Sequence, residues 1–123
     1  MKILIIIVRS LLGLCFVVFG LNGFLHFIHA EPPQGLAGDF VKALAATHYF
    51  HVVAFLQVAG GALLLLGRFV PLGLTLLGPV IVNILLFHSF LEPTGLPMAV
   101  VVSVMALFLL CAYRQAFKGL LKP

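Results

Sequence analysis

Charge is the scarcest property of this sequence: three acidic and seven basic residues stand among 123, so only 8% are charged. A soluble domain carries about a quarter. With 63% of residues hydrophobic and a mean hydropathy of +1.29, a soluble fold of this size is excluded, because it could not cover that apolar surface. Seven basic residues scattered between apolar runs cannot build the dense positive stripe that phosphate binding needs, so nucleic acid is excluded as a partner. The sequence has only two cysteines. Cys15 and Cys111 lie in apolar stretches at different depths, which argues against a disulfide and for small buried hydrophobes. There is no HExxH, no CxxC and no evenly spaced histidine pair across two helices, so no common zinc, thiol-redox or buried-haem signature is present. No acid falls in mid-membrane, which leaves a small transporter without an obvious coupling group.

What remains is long apolar runs. A span of about 20 residues crosses a bilayer, and four fit: 10–28, 48–66, 71–91 and 97–117. The first run continues back to Ile3, and its length rejects a cleaved signal peptide. Pro32 and Pro33 stop it, and 38–47 reads as a short interfacial helix with Phe40, Ala43 and Leu44 on one side. Thr47 is positioned to cap the second span. Gly67 to Val70 and Glu92 to Gly95 are turns, and short turns favour antiparallel neighbours. The expected fold is therefore all-α: a single transmembrane domain over 1–123, an antiparallel four-transmembrane-helix bundle with an outer interfacial helix between helices 1 and 2.

Lys2, Arg9, Arg68, Arg114, Lys118 and Lys122 fall on one side of this arrangement. Glu31, Asp39, Glu92 and the lone base Lys42 fall on the other. Positive flanks stay in the cytoplasm, so both termini are expected inside.

His26, His29, His48, His51 and His88 all map to the outer third, with Asn22, Gln57 and Asn83 deeper. Polar groups in hydrocarbon need a partner or a cavity. Residues three, four or seven apart share a helix face, which joins Asn22 with His26 and His88 with Glu92. Gln57 lies about 120° from His51, and Asn83 about 140° from His88. The fullest site that phase allows uses Asn22, His26, His51, His88 and Glu92. His26, His51 and His88 are its metal-ligand candidates, whereas Gln57 and Asn83 are separate ligand-binding candidates or interhelical hydrogen-bonding groups. His29 and His48 fall back to the interface. Imidazoles so placed suit a transition metal, haem iron or a quinone carbonyl. Gly13 with Gly20, Gly60 with Gly61, are close-packing surfaces, and Pro79 is expected to kink its helix.

Arg9, Leu12-Gly13-Leu14, Phe16 and Gly20-Leu21 in the first helix, with Gly60-Gly61, Leu64 and Gly67-Arg68 in the second, resemble the DoxX-like membrane proteins over nearly the whole chain. That resemblance implies a four-helix protein of the bacterial cytoplasmic (inner) membrane. It also implies a link to redox chemistry, since such proteins include a subunit of a thiosulfate:quinone oxidoreductase and a mycobacterial protein associated with superoxide dismutase and a sulfurtransferase. The sequence departs from the pattern where Gln57 replaces a frequent acid and Asn22-Gly23 a common basic position. Both changes remove charge from the bundle. The expected function is an accessory or quinone-interacting subunit of a membrane redox system, more in keeping with no catalysis of its own; as an enzyme it would be a quinone-linked oxidoreductase subunit. Quinone ranks ahead of haem or a transition metal as cofactor. The bilayer, redox partner proteins or further copies of the chain are the expected partners. The alternatives are a non-catalytic scaffold and a small transporter or metal-handling component.

Overall fold

The computed structural model describes residues 1–26 and 33–121. His29, Glu31, Pro32 and Lys122 lie outside them. The elements are α1 (Lys2–Leu25), α2 (Gly35–Ala45), α3 (Tyr49–Leu66), α4 (Val70–Phe90) and α5 (Leu96–Ala112), with 3₁₀ segments at Pro93–Gly95 and Arg114–Leu121. Among the described residues, four stretches are long and apolar enough to cross a membrane: α1, α3, α4 and Pro93–Ala112, of 24, 18, 21 and 20 residues. At about 1.5 Å per residue the shortest spans about 27 Å, close to the roughly 30 Å of a hydrocarbon core. The chain is a multi-pass membrane protein whose spans pack antiparallel, with α2 as a short helix between the first two.

The spans close into a ring, α1 against α3, α3 against α4, α4 against α5 and α5 back on α1. Each contributes one fully buried leucine to the axis: Leu12, Leu64, Leu77 and Leu109. No polar or charged side chain is buried among the described residues. Large apolar side chains such as Phe55, Leu66, Leu72 and Leu107 are exposed on the outer surface, as lipid-facing positions are. Since lipid is as apolar as leucine, such a bundle is held by close packing, and small residues set its contacts. Gly60 and Gly61 divide that task. Gly61 meets α1 at Gly13, whereas Gly60, about 100° round the helix, meets Leu77 and Gly73 of α4.

The helix ends differ from the hydropathy reading in informative ways. α1 stops at Leu25 because His26 adopts a left-handed conformation (φ 54°) and gives its N–H to the Asn22 carbonyl, a cap usually made by glycine or asparagine. His48 holds the N-cap position of α3, and Thr47, one residue earlier, supplies the hydroxyl that accepts from the Tyr49 N–H at 3.3 Å, satisfying the first donor of the helix. α5 ends at Ala112 rather than near Phe117, since Tyr113 leaves helical geometry and Arg114 donates to the Cys111 carbonyl at 3.0 Å. The helix α4 runs on through Pro79, and Asn83 donates its amide to the Pro79 carbonyl at 2.8 Å.

Lys2, Arg9, Arg68, Arg114 and Lys118 gather at one end of the bundle, hereafter the basic end. Gly67 turns the chain there with φ 73°, and the Arg9 guanidinium lies where a Cβ at Gly67 would be. That places a positive charge at the C-terminal, negative end of α3.

Candidate functional site

Away from the basic end, the four spans leave a cavity of about 200 Å³ between them. Its walls are Cys15, Phe16 and Phe19 of α1, Gln57 of α3, Ile84 and His88 of α4, and Met98 and Val102 of α5. Three walls are built from i, i+4 pairs, Cys15 with Phe19, Ile84 with His88 and Met98 with Val102, which stack on one face of their helices. The cavity reaches from His88, near the end of α4, to Gln57, eight residues and thus about 12 Å in from the start of α3. Apolar side chains dominate it. Gln57 and His88 are its hydrogen-bonding groups, and both are half-buried.

His88 is held by its surroundings. Its Nδ1 lies 3.0 Å from the Glu92 carbonyl oxygen. A carbonyl only accepts, so Nδ1 carries a proton, and whenever the ring is neutral Nε2 is the acceptor. The ring meets Phe87 edge-on, centroids 5.1 Å apart, and rests on Gly95, where a Cβ would overlap its Cε1 and Nδ1 atoms. The Glu92 carboxylate takes the Thr94 hydroxyl, tying the turn that carries Gly95. Phe40 of α2 packs against Phe87 with centroids 5.5 Å apart, so the short helix covers this corner.

The other sequence-derived candidates lie elsewhere. His51 is exposed, stacked on Phe24 and near His48. His26 is exposed at the end of α1, where its backbone is the cap. Asn83 is exposed and bonded within its own helix. Asn22 is half-buried and lends its carbonyl to the α1 cap. Glu92 contributes its backbone carbonyl to His88. The structure thus brings Gln57 and His88 to one cavity and does not unite His26, His51 and His88. Among the described residues, no group of three or more His, Cys, Asp or Glu side chains is placed to hold a metal ion.

Sequence reasoning missed Phe19, Ile84, Met98 and Val102, and it treated Cys15 only as a buried hydrophobe. Cys15 is a free thiol on the cavity wall, and Cys111 is free and exposed. The i, i+4 spacing from His88 back to Ile84 was the available signal. The sequence marks Gly95 only as a turn residue, because its place under the imidazole is set by tertiary packing.

No protein-family model, curated protein or solved structure matches the chain. The DoxX-like pattern therefore gains no support from relatives, and the four-span membrane architecture stands on the chain's own helices.

Proposed function

We propose that the protein is an accessory, quinone-interacting subunit of a membrane redox system, with the Gln57–His88 cavity as the seat of a quinone headgroup. The observation that carries this reading is an apolar cavity of about 200 Å³ whose hydrogen-bonding groups come from two different helices. A cavity of roughly 150 Å³ with apolar walls takes benzene, so this one suits a single substituted ring and is too small for a haem macrocycle. Gln57 has amide N–H groups to donate to a ring carbonyl, and neutral His88 has Nε2 to accept from a ring hydroxyl. A quinone would supply a two-electron, two-proton carrier, with its electrons exchanged with a partner protein. His88 is the group able to take up or return a proton at that site.

The test is saturable binding of a decyl-tailed benzoquinone to purified protein in nanodiscs. Gln57→Leu is expected to weaken binding about fivefold to tenfold, the loss of one hydrogen bond of roughly 1 kcal/mol. Binding that never saturates, or that Gln57→Leu and His88→Ala leave unchanged, sinks the reading.

In the same reading the basic end faces the cytoplasm and the cavity lies towards the outer leaflet of a bacterial inner membrane. With Cys15 and Cys111 replaced by alanine, Thr94→Cys should react with an impermeant maleimide in intact spheroplasts. Lys118→Cys should react only after permeabilisation. The reverse pattern would invert the orientation.

A further inference from the structure

Outside the cavity, the end of α3 remote from the basic end carries a second histidine arrangement. His48, which caps α3, and His51, one turn on, bring their ring centroids to 5.8 Å with planes tilted by 33°. Phe24 of α1 lies against the His51 ring, centroids 5.5 Å apart and planes within 10°. Both histidines are exposed. Among the described residues His88 alone has a hydrogen-bonded imidazole, so the ring nitrogens of His48 and His51 are uncommitted. Two exposed, neighbouring imidazoles with no internal partner are an arrangement ready for an external electrophile.

We infer that His48 and His51 form a two-imidazole site for a divalent first-row transition metal, with copper(II) held most tightly. Imidazole suits copper, nickel and zinc, and affinity rises to copper along that series. Geometry permits sharing: a ring nitrogen binds at about 2.0–2.1 Å, which sets each centroid about 3.2 Å from the ion and two centroids at most about 6.4 Å apart. The observed separation lies inside that limit. The stack on Phe24 covers one face of the His51 ring, a contact compatible with coordination through the ring edge, and the exposed His48 ring has room to turn towards a shared ion. The positive end of the α3 dipole opposes a cation there, a penalty of about twofold to fivefold in affinity. With two protein ligands, water fills the remaining positions, and the ion exchanges readily rather than serving as a structural centre. The site shares no residue with the cavity and does not depend on the quinone reading.

The experiment is a copper(II) titration of the full chain in nanodiscs, purified without a histidine tag and followed by electron paramagnetic resonance. One equivalent should bind with nitrogen hyperfine structure from two imidazoles. His48→Ala and His51→Ala should each weaken binding at least tenfold, whereas His26→Ala and His88→Ala should change it less than twofold. Both altered positions are exposed, and an unchanged circular dichroism spectrum will show that the variants are folded. Unchanged binding by the His48→Ala/His51→Ala double variant, or an equal loss in His26→Ala or His88→Ala, overturns the assignment.

Discussion

Gly13→Leu is expected to part α1 from α3 and abolish the folded bundle, and Gly13→Ala and Gly61→Ala to weaken it severely. A Cβ at Gly13 would lie 2.7 Å from both the Gly61 carbonyl oxygen and the Leu65 amide nitrogen. At Gly61 it would lie 2.8 Å from the Gly13 oxygen and 2.9 Å from the Val17 nitrogen. These neighbours are backbone, so nothing can swing aside and the two helices must separate. Overpacking of this kind costs about 1–3 kcal/mol for small additions, and no hydrophobic drive in lipid restores the contact once it opens. Unfolding in SDS should show each alanine variant failing at lower detergent than the parent. Because both alanines push on the same contact, the double variant should lose less than the sum of the singles. Gly78→Ala is the control: nothing lies within 4 Å of its Cβ position, and alanine favours a helix by about 1 kcal/mol over glycine. A Gly13→Ala variant as stable as Gly78→Ala would refute the backbone contact.

That contact was half visible in the sequence. Spacing put Gly13 and Gly20 on one face of α1 and placed glycine at 60 and 61, but it could not say which of the adjacent pair met which helix. Only the closed ring separates them, one glycine to each neighbour. The spans themselves were legible because lipid imposes a length on apolar runs, and short turns at Gly67 and Glu92 ordered them. Ends were less legible, since they rest on local backbone choices: hydropathy carries α1 through His26, but the left-handed residue there stops it. Helical phase sets Gln57 apart from His51, and Asn83 apart from His88. It could not reveal that Gln57 and His88 share a cavity. A void is what four helices' side chains fail to fill, and no single helix records it. Histidine count drew the eye to His26 and His51, which the structure leaves at the surface, each with a local role as cap or stacking partner.

Gly95→Ala should lower quinone binding about as much as His88→Ala, at least tenfold, although Gly95 is not itself a cavity wall residue. Gly95 is not in left-handed geometry, with φ −92°, so alanine suits its backbone, and the effect must come through the ring above it. An added Cβ would overlap the imidazole at Cε1 and Nδ1. The ring must then leave its seat and give up the 3.0 Å hydrogen bond to the Glu92 carbonyl. With that bond gone, nothing fixes the proton on Nδ1, and Nε2 is no longer held as the acceptor. Gly95 and the Glu92 carbonyl are thus positioning groups, whereas His88 would be the group in contact with the headgroup. The double variant Gly95→Ala/His88→Ala distinguishes this from general damage. If Gly95 acts through His88, the double variant should bind no more weakly than His88→Ala alone. The imidazole resonances of His88 should also shift in Gly95→Ala while unfolding in SDS stays near that of the parent. Additive losses, or a Gly95→Ala variant that binds normally, would show that the ring's seat does not govern the site.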